Sequence, residues 1–113
     1  MTIQKYDETP AEKIAENVER RIGHLDNLMI VVLDFYDGPT SEPDPPHSHP
    51  HEQVSYVVEG EIILFMDGEE KGRLGPGDVF MAPSGIPHNI QRLTKHVRLI
   101  DCFTPLREEF LKG

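Results

Sequence analysis

The segment His47-Ser-His49-Pro-His51-Glu-Gln53 brings three imidazoles and one amide oxygen into seven residues. Neutral imidazole is the commonest protein ligand for transition metals, and an amide oxygen is a workable additional donor. In extended chain, residues two apart point to one face, so His47, His49 and Gln53 share a side. Downstream, Pro83-Ser-Gly-Ile-Pro-His88 offers a further imidazole at a loop end. A set of three imidazoles and one oxygen suits Zn, Ni, Fe, Mn or Cu. Open coordination positions would then admit a bidentate oxygen ligand or an activated water. His51 has the same parity as the set and reads as a rim residue or one supporting the ligands. His24 and His96 stand alone in the chain and read as surface or satisfied core residues.

Positioning such a set requires strands held together by tight turns. Leu28 to Tyr36 is mostly apolar and β-branched and predicts a strand buried on both faces. Asp37 to Pro46 contains four prolines and one glycine, so it is a loop that delivers the chain to His47. Strands follow at Gln53–Val58, Glu61–Met66, Val79–Ala82, Asn89–Leu93 and Val97–Phe103. Asp67-Gly68 is a hairpin signal and Gly75-Pro-Gly77-Asp78 a tight turn. Thr9-Pro10-Ala-Glu12 has the residue order of a helix start, and Thr104-Pro105 that of a cap on a last helix, Leu106–Leu111. Many short strands with Gly/Pro turns indicate an all-β jelly roll with one open mouth and a short C-terminal helix. Residues 1–17 read as an N-terminal arm or short helix, and 18–113 as the barrel domain.

Composition narrows the function classes. The 113 residues carry a net charge of −9, with no basic cluster larger than Arg20-Arg21, so nucleic acid is not an expected partner. Anionic substrates would be repelled at long range and would need a cation inside the site. The single cysteine, Cys102, precludes an internal disulfide. No run approaches about 18 apolar residues, and the N-terminus lacks a charged-then-apolar leader pattern, so the expectation is a cytoplasmic protein without a membrane span.

The two histidine stretches resemble the paired motifs of the cupin family. His47, His49, position 53 and Gly60 fit the first motif, and Gly77, Pro83, Gly85 and His88 fit the second. Ser41 stands where the first motif begins with glycine, and Arg92 where the second ends in asparagine. Gln53 replaces the usual glutamate, which leaves the expected metal site one charge more positive and favours an anionic ligand. The tail Asp101-Cys-Phe103-Thr-Pro-Leu-Arg107-Glu-Glu-Phe110-Leu111 is similar to that of a small-cupin subgroup which linearises unsaturated uronates in pectin and alginate degradation. The likeness spans about residues 18–112.

The resemblance implies a double-stranded β-helix, one divalent transition metal on His47, His49, Gln53 and His88, and catalysis by Asp101, Arg107 and Phe103. Read from the residues themselves, Asp101 and Phe103 share a parity on the last strand. Arg107, just past Thr104, is suited to gripping a carboxylate bidentately. Asp101 would move protons and Phe103 would wall the pocket together with Tyr56. The expected activity is isomerisation of an unsaturated or keto sugar acid. The alternatives are a metal-dependent dioxygenase and a non-enzymatic ligand-binding domain. The apolar Ile30–Leu33 run suggests a homodimer.

Overall fold

Alternating apolar residues and short turns build nine strands in the computed structural model, which describes residues 2–111. They are β1 (Glu12–Ala15), β2 (Val18–His24), β3 (Met29–Phe35), β4 (Glu52–Glu59), β5 (Ile62–Met66), β6 (Glu69–Leu74), β7 (Val79–Ala82), β8 (His88–Arg92) and β9 (Val97–Thr104). All pair antiparallel, as a six-stranded sheet β1-β2-β3-β9-β4-β7 facing a three-stranded sheet β6-β5-β8. This is the jelly roll that the turn spacing predicts. The β5–β6 hairpin turns at Asp67-Gly68, with φ of 53° and 81°, the paired positive values of a primed two-residue turn.

The inner faces of the sheets pack into one sandwich. At its closed end Val57, Ile62, Leu64, Phe80, Val97 and Leu99 form an apolar cluster, and nearer the mouth Met29, Val31 and Phe103 form a second. Burying such side chains contributes about 1.5–3 kcal/mol each. Gly60, the glycine of the first histidine motif, holds the β4–β5 turn at φ +84°, and a Cβ there would sit 2.3 Å from the His96 carbonyl oxygen. Only glycine fits that turn.

Three expectations change. The Thr9-Pro10 segment starts no helix; a single 3-10 turn lies at Tyr6–Glu8, and Glu12–Ala15 pairs with β2 as an edge strand. Partnership with β2 prevails over a local capping signal. The C-terminal helix is shorter than Leu106–Leu111, a 3-10 turn at Glu108–Phe110. Finally, β3 is not buried on both faces: Met29 and Val31 are buried while Ile30 is 42% exposed.

Arg92, where the second motif departs from asparagine, is buried and donates to Asp37 Oδ1 at 2.7 Å and Asp44 Oδ1 at 3.3 Å. Its guanidinium lies 4.6 Å over the Phe35 ring. It therefore clamps the proline-rich loop, which also runs beside β8 through Thr40 N–H to Arg92 O and Asp44 N–H to Ile90 O, both at 2.9 Å. That loop carries His47 to the mouth.

Candidate metal centre and cavity

The two histidine motifs meet through their backbones. His47 N–H donates to His88 O at 3.1 Å, and His88 N–H returns a bond to His47 O at 2.9 Å. Gly85 N–H donates to His49 O at 2.8 Å, so the second motif's loop also fixes the first motif's chain. The result is that His47, His49 and His88 present ring nitrogens all within 4.8 Å of one another. His49 and His88 are buried, and His47 is the exposed member. Although the residue as a whole is exposed, partial desolvation of its ring, helped by the neighbouring His88, His49 and Arg107, holds His47 neutral down to about pH 4. Burial first and Arg107 second likewise lower His49. Neutral rings are the form that binds metal.

Hydrogen-bond direction tests whether these residues fit a cation. His49 Nδ1 lies 3.0 Å from His51 O, and His88 Nδ1 lies 3.0 Å from Ile86 O. A carbonyl oxygen only accepts, so both Nδ1 atoms carry the proton and both Nε2 atoms carry lone pairs. Gln53 Oε1 sits 3.0 Å from His49 Nε2 and 3.1 Å from His88 Nε2. Three acceptors thus converge with no proton to share, an arrangement that a cation satisfies. The donor set fits a divalent metal, with the Nδ1–H bonds orienting the rings as second partners commonly do.

Gln53 belongs to a buried polar ladder on facing strands. In register, Gln53 lies opposite Phe103 and Ser55 opposite Asp101. Gln53 Nε2 donates to Ser55 Oγ at 2.9 Å, and Ser55 Oγ donates to Asp101 Oδ1 at 2.6 Å. Asp101 is buried, and desolvation pushes its carboxyl up to about 6 despite the opposing Ser55 bond and the Arg107 charge. Phe103 is buried, its ring edge-on to His49 at 5.6 Å.

Arg107 follows β9 and reaches back over Phe103 at 5.2 Å and Phe110 at 4.2 Å. Its Nη2 donates to Glu109 Oε2 at 2.9 Å. His47, Gln53, His88, Asp101, Phe103 and Arg107 all line one cavity of about 230 Å³. His49 lies behind this lining, its Nε2 against Gln53 Oε1. His51 is not among the lining residues; its Nε2 lies 3.1 Å from Leu106 O. Tyr56, by contrast, faces away from the cavity on the outer side of β4 and is 43% exposed, because its parity is opposite to that of Gln53 and Ser55.

Two polar residues of the site, one behind the cavity wall and one on it, escape the motif reading. Ser55 is 1% exposed and is two residues from Gln53 on the same face, a parity signal present in the sequence. Arg20 also lines the cavity from β2, donating to Glu12 Oε1 at 2.6 Å and lying 4.3 Å over Phe110. His24 is exposed, with Nδ1 3.0 Å from Leu25 O. His96 is satisfied between Asp34 Oδ1 at 2.7 Å and Glu59 Oε2 at 3.0 Å. Among the described residues no helix is long and apolar enough to cross a membrane.

Known proteins resemble this chain in sequence and fold. The chain is 36% identical to the pectin degradation protein KdgF of Dickeya dadantii over 107 residues, covering 93% of this chain and 94% of that protein. The structure of KdgF from a Halomonas species superposes with a TM-score of 0.86 at 31% identity, over 97% of this chain and 98% of that one. An RmlC-like cupin from Shewanella frigidimarina gives a TM-score of 0.86 at 36% identity, over 97% and 96% of the two chains. Residues 36–103, which hold both histidine motifs and the strands that join them, match the cupin domain, and the chain belongs to that family.

Proposed function

We propose that this protein is a metal-dependent sugar-acid isomerase that opens the ring of an unsaturated uronate. The observation that carries the reading is one cavity lined by an imidazole cluster, a buried carboxyl and a guanidinium. At about 230 Å³ it lies below the roughly 300–1,000 Å³ of pockets for drug-sized ligands, a scale suited to a monosaccharide. The likeness to pectin degradation proteins over most of the chain supports the same substrate class.

His47, His49, Gln53 and His88 would hold the metal, which when bound supplies Lewis-acid polarisation of a substrate oxygen. Arg107 grips the sugar carboxylate with its planar fork and answers the repulsion of an acidic surface. Phe103 and Phe110 supply an apolar wall that keeps water from the reacting centre. Opening an unsaturated hemiacetal ring requires loss of the anomeric hydroxyl proton as the ring C–O bond breaks, leaving an enol that takes a proton on carbon. The atoms balance without an oxidant. Asp101 is the group placed to accept that hydroxyl proton and return one, since burial keeps its carboxyl near the operating pH.

The test is an NMR time course of metal-loaded protein with an unsaturated monouronate, run beside an oxygen electrode. Open-chain keto-acid signals without oxygen uptake are expected. Oxygen consumption would replace this reading by a dioxygenase, and a ring that opens no faster than in buffer would sink it.

We further propose a homodimer through the outer face of the large sheet. The register aligns Ile30, Cys102, Val54 and Met81 in one row and Val32, Ile100, Tyr56 and Val79 in the next. Ile30, Val54, Tyr56, Val79 and Met81 are each 42–62% exposed. Beyond Ile30 this face continues into a groove of about 700 Å³ lined by Ile3, Leu25 and Leu28. A continuous apolar face of this kind marks an interaction surface, and a second copy offers the same patch about a two-fold axis. Light scattering should give a dimer mass that Met81→Glu halves; a monomeric wild type would overturn the proposal.

A further inference from the structure

We infer that Ser55 is the positioning residue of this site, the group that fixes which end of the Gln53 amide faces the histidines and that holds the Asp101 carboxyl in place. The inference rests on the proposed metal and Asp101 roles and adds a residue that is neither a fixed position of the histidine motifs nor part of the Asp101–Arg107 tail.

A hydroxyl has one proton, and here its destination is determined. Ser55 Oγ receives an N–H from Gln53 Nε2 at 2.9 Å, so its own proton points to Asp101 Oδ1 at 2.6 Å. The run Gln53 to Ser55 to Asp101 therefore has a direction. That direction leaves Gln53 Oε1 facing His49 Nε2 and His88 Nε2, whose lone pairs are free because each Nδ1 proton is given to a backbone carbonyl.

Turning the amide over reverses every link. The Gln53 N–H groups would then satisfy the two imidazole lone pairs and close the donor set to a cation. The amide oxygen would face Ser55 and take its proton, and Asp101 Oδ1 would lie against a hydroxyl oxygen with nothing to donate. Ser55 is 1% exposed, so no water is at hand to replace the lost donor. The three groups act as a unit, with the hydroxyl as its hinge.

This also gives a physical reason for glutamine at position 53. A glutamate there has no N–H to give, so the Ser55 proton would be claimed by two buried carboxylates at once. Glutamine and serine are a matched pair: the amide supplies an oxygen to the histidine side and a proton to the Asp101 side.

The experiment is a titration of metal-free protein with zinc and with nickel, in wild type, Ser55→Ala and Ser55→Thr. Side-chain amide NMR of Gln53 and kcat and KM on the unsaturated uronate complete it. Ser55→Ala should weaken both metals by about tenfold to a hundredfold, the usual cost of losing a group that orients a ligand. It should shift the Gln53 amide resonances, lower kcat and leave KM nearly unchanged, because Arg107 is untouched. Ser55→Thr, which keeps the hydroxyl, should restore metal affinity; a melting curve of each metal-free variant checks that the fold survives. Unaltered metal affinity and unaltered Gln53 resonances in folded Ser55→Ala would overturn the inference. The metal and NMR arms need no substrate. Weakened metal binding in a protein that leaves the uronate unchanged would thus uphold Ser55 and reject the isomerase reading.

Discussion

Two carboxyls are buried in the six-stranded sheet, on opposite faces, and they are treated in opposite ways. Asp34, on the outer face of β3, is 0% exposed. It accepts from Arg98 Nε at 2.8 Å, Arg98 Nη2 at 3.1 Å and His96 Nε2 at 2.7 Å. Desolvation is the largest single influence on it and acts upward, yet the hydrogen bonds from the Arg98 guanidinium and the His96 ring together hold it below the usual carboxylate value of 3.8. Asp101, on the inner face of β9, is 6% exposed and has one close donor, the neutral Ser55 hydroxyl. Desolvation prevails there and raises it to about 6. Burial alone does not set the direction of a carboxyl's shift; the charge of its close donors decides whether desolvation prevails.

The largest expected effect follows from Asp101→Asn. Removing a positioned general acid–base typically costs about 10²–10⁴-fold, so turnover should fall by at least a hundredfold while metal and sugar still bind. The same change should stabilise the metal-free protein. The folded carboxyl titrates near 6 and the unfolded one near 3.8, so between those values the folded state holds the extra proton and stability falls as pH rises. The variant should therefore match wild type below pH 4 and exceed it by up to about 3 kcal/mol above pH 6, two pKa units at 1.36 kcal/mol each. Urea melts of metal-free protein at both pH values check this. A variant less stable than wild type at neutral pH would break the contrast.

Asp34→Asn should do the reverse. Its hydrogen bonds to charged groups suggest a loss of about 2 kcal/mol at pH 7, moderated because Arg98 and His96 are partly exposed and can be rehydrated. The folded pKa is depressed, so the wild-type advantage is present above pH 3.8 and disappears as pH falls through the folded value. Turnover should change less than twofold. Denaturant melts across pH together with initial rates separate the two carboxyls.

How much of this was legible depends on whether parity or packing decides. The inward Asp101 and Phe103 and the Asp67-Gly68 hairpin follow from strand periodicity and turn residues, whereas choosing Gln53 over His51, which has the same parity, took the likeness to the cupin motif. Ser55 was equally accessible by parity, but a serine between Val54 and Tyr56 carries no chemical signature until its neighbours' hydrogen bonds are known. Tyr56 was misassigned through chemistry, an aromatic ring near a site, against its own parity. β1 was hidden because Thr9-Pro10 satisfies helix-capping rules locally, while its fate is decided by the vacant edge of β2. Arg20 looks like a surface cation, and only pairing of β2 with β3 shows that it faces inward beside Val18 and Ile22. Asp34, inside an apolar run, gave no hint that Arg98 and His96 would meet it.

The smallest effect concerns the arginines, which repeat the contrast between the carboxyls. Arg98 is engaged by a fully buried Asp34, which raises its pKa and leaves it unavailable to a ligand. Arg107 is engaged by Glu109, whose side chain is 54% exposed, so its partner is replaceable. An exposed pair of this kind contributes about 0.2–1 kcal/mol. On the proposed role of Arg107, an arriving substrate carboxylate would have to displace it, and that cost would appear in KM. Glu109→Gln should therefore lower KM for the uronate by up to about fivefold, the upper end of that range, with kcat unchanged. The gain should shrink in high salt, which screens the Glu109 pair in the wild type. An unchanged KM at low salt would mean that Glu109 does not compete for the guanidinium and that Arg107 is as structural as Arg98.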